Sequence, residues 1–132
     1  MLWLIKAFAR SSPLSRAQVS EVLLLLHVNH PHVMFDVSWI ETQGDKDLTT
    51  SLREMEKTDF FTREIDQLLQ QGKCRIAIHS AKDLPDPISK GLKIIAITEG
   101  VDPRDCLVLR EGENLEQLPK GARIGTSSIR RE

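Results

Sequence analysis

Leu2-Trp3-Leu4-Ile5-Lys6-Ala7-Phe8-Ala9-Arg10-Ser11-Ser12-Pro13-Leu14 decides the fold class, because it passes from strand to helix across only three residues. Residues 2–9 form a short apolar run that reads as a buried strand. Ser12-Pro13 is a helix start: the hydroxyl can accept an orphan backbone N–H, and proline suits the first helical position. Leu14, Ala17, Gln18, Val22, Leu25 and Leu26 continue the helix with a broad apolar face. Asn29 to Pro31 ends it.

The same alternation repeats downstream. Residues 33–40 alternate well enough for a second strand. Residues 42–57 are polar and include Gly44-Asp45, which predicts a long loop. Asp59 is placed to cap a helix over 60–70 with Phe60, Phe61, Ile65, Leu68 and Leu69 on its apolar face, and Gly72 supplies the stop. Residues 75–78 predict a strand, buried on both faces if parallel. Leu84-Pro85-Asp86-Pro87 interrupts regular structure. Further strands are expected over 92–98, 106–109 and 123–125, with a turn at 102–105 and a brief helix capped by Asn114 that ends near Leu118. Thr126-Ser127-Ser128 reads as a helix N-terminus cut short at Glu132, so the ending resembles a truncation. Strands alternating with helices predict an α/β fold with a mainly parallel sheet flanked by helices.

The 132 residues allow one modest domain, or one domain and the start of another. A hydrophobic fraction of 40% with 28% charged residues is ordinary for a soluble globular chain. The net charge of -1 offers no basic face for nucleic acid. Val22 to Leu26 is far shorter than the ~20 residues that span a bilayer, and no secretory signal is visible. A cytoplasmic protein with no membrane and no nucleic-acid partner is expected. Cys74 and Cys106 match neither a CxxC motif nor a zinc site; both read as small core hydrophobes, and no metal is expected.

Three strand exits carry hydroxyls and cations together: Arg10-Ser11-Ser12, His79-Ser80-Ala81-Lys82-Asp83, and Thr126-Ser127-Ser128-Ile129-Arg130-Arg131. Ligands of open α/β sheets bind outside the carboxyl ends of the strands. Helix N-termini, hydroxyls and arginine forks there suit a ligand with several carboxylates. Taken singly, each feature has a plainer reading. Ser12 alone is a helix cap, Arg130-Arg131 a solvated charge pair, His79 a satisfied structural histidine, and Lys82-Asp83 a loop ion pair of little energetic weight. Their repetition at three strand ends favours a site.

The segments also resemble a known family. Arg10-Ser11-Ser12-Pro13-Leu14 resembles T-R-x-S-P-L-A, Thr42-Gln43-Gly44-Asp45 resembles T-x-G-D, and Phe61-Thr62-Arg63-Glu64-Ile65 resembles F-x-K-E-L/I. His79-Ser80-Ala81-Lys82-Asp83-Leu84-Pro85 resembles H-S-x-K-D-x-P, Asp102-Pro103-Arg104-Asp105 resembles D-P-R-D, and Gly125 to Arg131 resembles G-T-S-S-x-R-R. Six motifs in order are the pattern of the porphobilinogen deaminase (hydroxymethylbilane synthase) family. The resemblance implies a transferase of tetrapyrrole (haem) biosynthesis. It condenses four porphobilinogen molecules into hydroxymethylbilane with release of ammonia.

It further implies a fold like that of two-domain, type II periplasmic binding proteins, with residues 1–98 as most of domain 1, 99–132 as the start of domain 2, and a third domain absent. A dipyrromethane cofactor would hang from a cysteine of that third domain, not from Cys74 or Cys106. Asp83 matches the catalytic aspartate. Arg10, Ser12, Gln18, Ser80, Lys82, Arg104, Thr126, Ser127, Ser128, Arg130 and Arg131 would bind porphobilinogen and the oligopyrrole intermediates, with Arg104 equally open to a structural role. The complete enzyme would be a monomer. Glu56-Lys57-Thr58-Asp59-Phe60-Phe61 departs from the family's G-G-K-G-L-F, giving a more acidic and less flexible loop. The alternative is a non-catalytic binding module for a small carboxylate on the same fold.

Overall fold

β1 (Trp3–Arg10) is the middle strand of a three-stranded sheet, with β2 (Val33–Ile40) on one side and β3 (Ile76–Ile78) on the other, all parallel. The computed structural model describes residues 2–51, 58–128 and 131. Arg10 is opposite Ile40 and Ala9 opposite Ile78, so all three strands reach their carboxyl ends at one edge. The expected α/β architecture with a parallel sheet and flanking helices is present. The chain divides into two units, residues 1–97 and 98–132.

In the first unit, β1 alternates its side chains between two layers. Ala7 and Ala9 are fully buried, and their parity is that of the face covered by α1 (Pro13–Asn29), which packs on β1 and β2. Two alanines leave room for a helix to approach closely. Phe8, on the opposite face, clusters with Ile65 and Cys74, and Ile40, Leu68, Leu69 and Ala77 pack around them. Ile65 lies on the helix Arg63–Gln70, here α3, and full burial of its side chain contributes roughly 2–3 kcal/mol. The central core is therefore small and sits between β1 and α3.

Several expectations are corrected. The inner face of α1 runs through Ser15 and Val19, with Val22, Leu23 and Leu26 half-buried, whereas Leu14 and Leu25 are exposed. The loop expected at 42–57 begins with a short helix, α2 (Gln43–Lys46), because Thr42 and Asp45 form a capping box. Asp59 does not cap α3. The helix starts at Arg63 after Thr62, and Asp59 instead pairs with Arg63 at 2.6 Å. Gly72 does end this helix, with φ of 70°, where glycine carries no Cβ penalty. β3 is an edge strand, so it is half-buried instead of covered on both faces.

Residues 92–98 form no strand: no ladder partner reaches them among the described residues, and an extended segment gains little without one.

In the second unit, residues 106–109 and 123–125 likewise form no strand, and Cys106 is exposed, not a core residue. The expected brief helix is a single 3-10 turn, Leu115–Gln117, whose Asn114 cap accepts from the Gln117 N–H at 3.0 Å. No helix of the described residues is long and apolar enough to cross a membrane.

Candidate functional site

Because the sheet is parallel, Arg10, Glu41 and His79 leave it side by side at one edge. Three segments converge there: Arg10-Ser11-Ser12 after β1, Thr42 to Asp45 after β2, and His79 to Asp83 after β3. Arg10 joins them. Its Nη1 donates to Asp83 Oδ2 at 2.8 Å, while Nη2 and Nε donate to Asp45 Oδ1 and Oδ2 at 2.5 and 3.3 Å. The guanidinium also lies over the Phe61 ring, 4.2 Å from its centroid. The Arg10, Asp45 and Asp83 side chains are 15%, 13% and 14% exposed, which places the triad between surface ion pairs and fully buried ones.

Local structure fixes each member. The 3-10 turn Ala81–Asp83, closed by the Asp83 N–H on Ser80 O at 3.0 Å, points Asp83 back towards β1. Asp45 is held by the N–H and hydroxyl of the fully buried Thr42, at 3.0 and 2.8 Å on Oδ2. Gly44 sits against Phe61: an added Cβ would be 2.5 Å from two ring carbons, so only glycine lets the ring lie there. Burial alone would push the Asp45 carboxyl upward. Hydrogen bonds from Arg10 and Thr42 and the Arg10 charge outweigh it and hold Asp45 below the usual carboxylate range. Burial likewise opposes the Arg10 charge, and the two carboxylates overcome it, raising Arg10 above its ordinary value.

The sequence-predicted residues separate into groups. Arg10 and Asp83 are in direct contact, and the Ser80 hydroxyl donates to Gln18 Oε1, bringing α1 and the β3 exit together. Ser12 caps α1, accepting from the Ser15 N–H at 3.3 Å. Lys82 is exposed on the 3-10 turn, and Asp83 pairs with Arg10, so the plainer reading of Lys82-Asp83 as a loop ion pair does not hold. His79 is not a satisfied histidine. Both ring nitrogens are buried without a partner among the described residues. Burial lowers its pKa; the charges of Asp66 and Asp83 oppose this in part, and Arg10 adds to it.

The third exit lies in the second unit. There the Ser128 N–H donates to Thr126 Oγ1 at 3.1 Å, Ser127 is exposed, Arg131 pairs with Asp105 at 2.6 Å, and Arg104 pairs with Asp102 at 2.6 Å. Arg130 lies outside the described residues, as do Glu56 and Lys57 of the divergent loop.

Sequence reasoning missed Asp45, Thr42 and Phe61 as site residues. The Thr-x-x-Asp spacing of a capping box was the available signal. It marks Asp45 as a fixed carboxylate at a strand exit.

Two carboxylates around one guanidinium leave the cluster with a net negative charge. Among the described residues no donor reaches Asp83 Oδ1. That oxygen can accept from an N–H donor, and a cation forming beside it would be stabilised. Two of the five Arg10 N–H groups remain for a ligand carboxylate.

A family model described as "Porphobilinogen deaminase, dipyromethane cofactor binding domain" matches residues 5–132. The chain is 46% identical to a probable porphobilinogen deaminase of Chlamydia muridarum over 127 residues, covering 96% of this chain and 52% of that protein. It is 42% identical to the porphobilinogen deaminase of Clostridioides difficile over 124 residues, 93% of this chain and 41% of that protein. The Fusobacterium nucleatum porphobilinogen deaminase is 43% identical over 125 residues, 93% and 42% of the two chains. The chain spans about half the length, or less, of these curated relatives.

Proposed function

We propose that this chain, which belongs to the porphobilinogen deaminase family, is the portion of such an enzyme that carries its catalytic aspartate. The whole enzyme would condense four porphobilinogen molecules head to tail, releasing ammonia and forming hydroxymethylbilane. The observation that carries this reading is Asp83 itself. One carboxylate oxygen is held by Arg10 and the other is open.

Loss of ammonia from porphobilinogen leaves an azafulvenium cation, and attack by the next pyrrole gives a second cationic intermediate. Asp83 Oδ1 would accept from the pyrrole N–H groups and stabilise both cations where charge develops. The same carboxylate would help move the proton that the attacking pyrrole loses from its α-carbon once the new bond has formed. Arg10 orients Asp83 through its Nη1–Oδ2 hydrogen bond. Its two remaining N–H groups, with Ser12, Gln18, Ser80 and Lys82, would hold the acetate and propionate groups of the substrate. Thr126, Ser127, Ser128, Arg130 and Arg131 would be further ligand-binding residues, and Arg104 would take a binding or a structural role.

The dipyrromethane cofactor fits this donor set. Asp83 Oδ1 suits its pyrrole N–H groups, and the cations and hydroxyls suit its carboxylates. When bound, it supplies the pyrrole terminus on which the chain grows. Burial pushes the Cys74 thiol up, away from reactivity. We assign the attachment to a cysteine that this chain does not contain. Residues 1–98 then form most of a first domain of a type II periplasmic-binding-protein-like fold, and 99–132 the start of a second. The complete enzyme is read as a cytoplasmic monomer.

A non-catalytic binder of a small carboxylate is disfavoured by the charge at the site. Such a binder gains nothing from two carboxylates around its arginine.

The test is a chimera in which this chain replaces the matching portion of the Clostridioides difficile enzyme. Hydroxymethylbilane formation from porphobilinogen by the chimera, and none by the purified 132-residue chain, is the expected result. A folded chimera that carries the cofactor yet forms no product would overturn the proposal, and so would turnover by the chain alone.

A further inference from the structure

Arg10 has a long side chain with many rotamers, yet it must deliver one N–H to Asp83 and leave Oδ1 open. Asp83 alone does not dictate that geometry. A free guanidinium prefers a bidentate fork on a carboxylate, which would cover both Asp83 oxygens. Asp45 takes the fork on the Nε edge: its two oxygens accept from Nη2 and Nε, at 2.5 and 3.3 Å, and the guanidinium so fixed reaches Asp83 through Nη1 alone, at 2.8 Å. Asp45 is itself immobilised by the N–H and hydroxyl of buried Thr42. The Phe61 ring, 4.2 Å below, sets the plane.

We propose that Asp45 is a positioning residue for the reaction: by taking the Nε edge of Arg10 it fixes the guanidinium in the orientation that gives Asp83 one bond, through Nη1, and leaves Asp83 Oδ1 available. This rests on the reading of Asp83 as the catalytic carboxylate. Asp45 does not touch the reacting atoms. It acts through Arg10.

The geometry is read directly in the 132-residue chain from the Arg10 Nε–Hε NMR signal and its exchange with water. The signal should be protected in the unsubstituted chain and remain so in Asp83→Asn, because Asp45 holds that edge. It should lose protection in Asp45→Asn, and be retained in Asp45→Glu, which keeps both the charge and a residue accepted in a capping box. Protection that follows Asp83 and ignores Asp45 would overturn the proposal.

In the deaminase chimera, Asp45→Asn should lower kcat about 10- to 100-fold, the cost of ångström-scale misplacement, with KM little changed, and Asp45→Glu should restore most of it. An active chimera whose kcat is indifferent to Asp45→Asn defeats the positioning role alone. An inactive unsubstituted chimera defeats the deaminase reading and the proposal with it. If Asp45→Asn fails to fold, Asp83→Asn carries the test: retained Hε protection supports the role of Asp45, and lost protection refutes it.

Discussion

Replacing Arg10 by methionine removes the one cation from the triad while keeping most of the side-chain volume. Exposed ion pairs are worth about 0–1 kcal/mol, and breaking a buried pair costs about 3–5. The three side chains are 13–15% exposed, so the loss lies towards the buried end. Asp45 and Asp83 are left as neighbouring carboxylates, and the stacking on Phe61, about 1 kcal/mol at a partly desolvated site, goes too. A loss of about 2–4 kcal/mol at pH 7 is expected.

The pH dependence has a definite sign. Asp45 is depressed in the folded state, so its contribution is present above its unfolded value near 3.8 and is lost as pH falls through the lower folded value. The difference between Arg10→Met and the unsubstituted chain should therefore shrink below about pH 4. Urea unfolding followed by far-ultraviolet circular dichroism at pH 7 and pH 3 measures both. A loss under about 1 kcal/mol at pH 7, or one equal at the two pH values, would refute the ion-pair account.

Other substitutions test other parts of the structure. Gly44→Ala should cost about 1–3 kcal/mol by thermal or urea unfolding, because its Cβ meets the Phe61 ring at 2.5 Å and an overpacked site must shift. Ile65→Ala should cost about 2–5 kcal/mol in the same assay, since it empties the centre of the Phe8 and Cys74 cluster. His79 is depressed below its ordinary value of about 6.5, chiefly by burial. The unfolded chain then binds the proton more readily, so stability is complete above about pH 6.5 and falls as pH drops below it, by at most ~1.4 kcal/mol per pH unit. His79→Leu should flatten that slope between pH 7 and 5.5 in urea titrations; an unchanged slope would assign it elsewhere.

The strand-to-helix passage at Arg10-Ser11-Ser12-Pro13 was legible because cap, proline and apolar period agree, and α1 forms directly after Ser12. The same holds for β2, and for α3 ending at Gly72. The expected strands at 92–98, 106–109 and 123–125 were not realised, because an apolar run specifies a strand only when another strand lies beside it. Cys106 was misplaced for the same reason: its burial was inferred from a strand that is not formed.

At the site, Arg10, Asp83, Ser80 and Gln18 were legible as residues, but their partners were not. Lys82 stands next to Asp83 in sequence, yet the 3-10 turn gives Asp83 to an arginine 73 residues away. Only the register of a parallel sheet brings the exits of β1, β2 and β3 together, and that register is non-local. Asp45 was hidden in a segment read as loop.

Asp83 is the residue on which the proposed activity turns. In the chimera with the Clostridioides difficile enzyme, Asp83→Asn should lower kcat by about two to three orders of magnitude, the scale lost when charge stabilisation at a transition state is removed. Intact mass should still show the dipyrromethane, so that loss of cofactor is not the cause. Turnover within a few-fold of the unsubstituted chimera, with the same mass, would contradict the assignment of Asp83 as the cation-stabilising carboxylate.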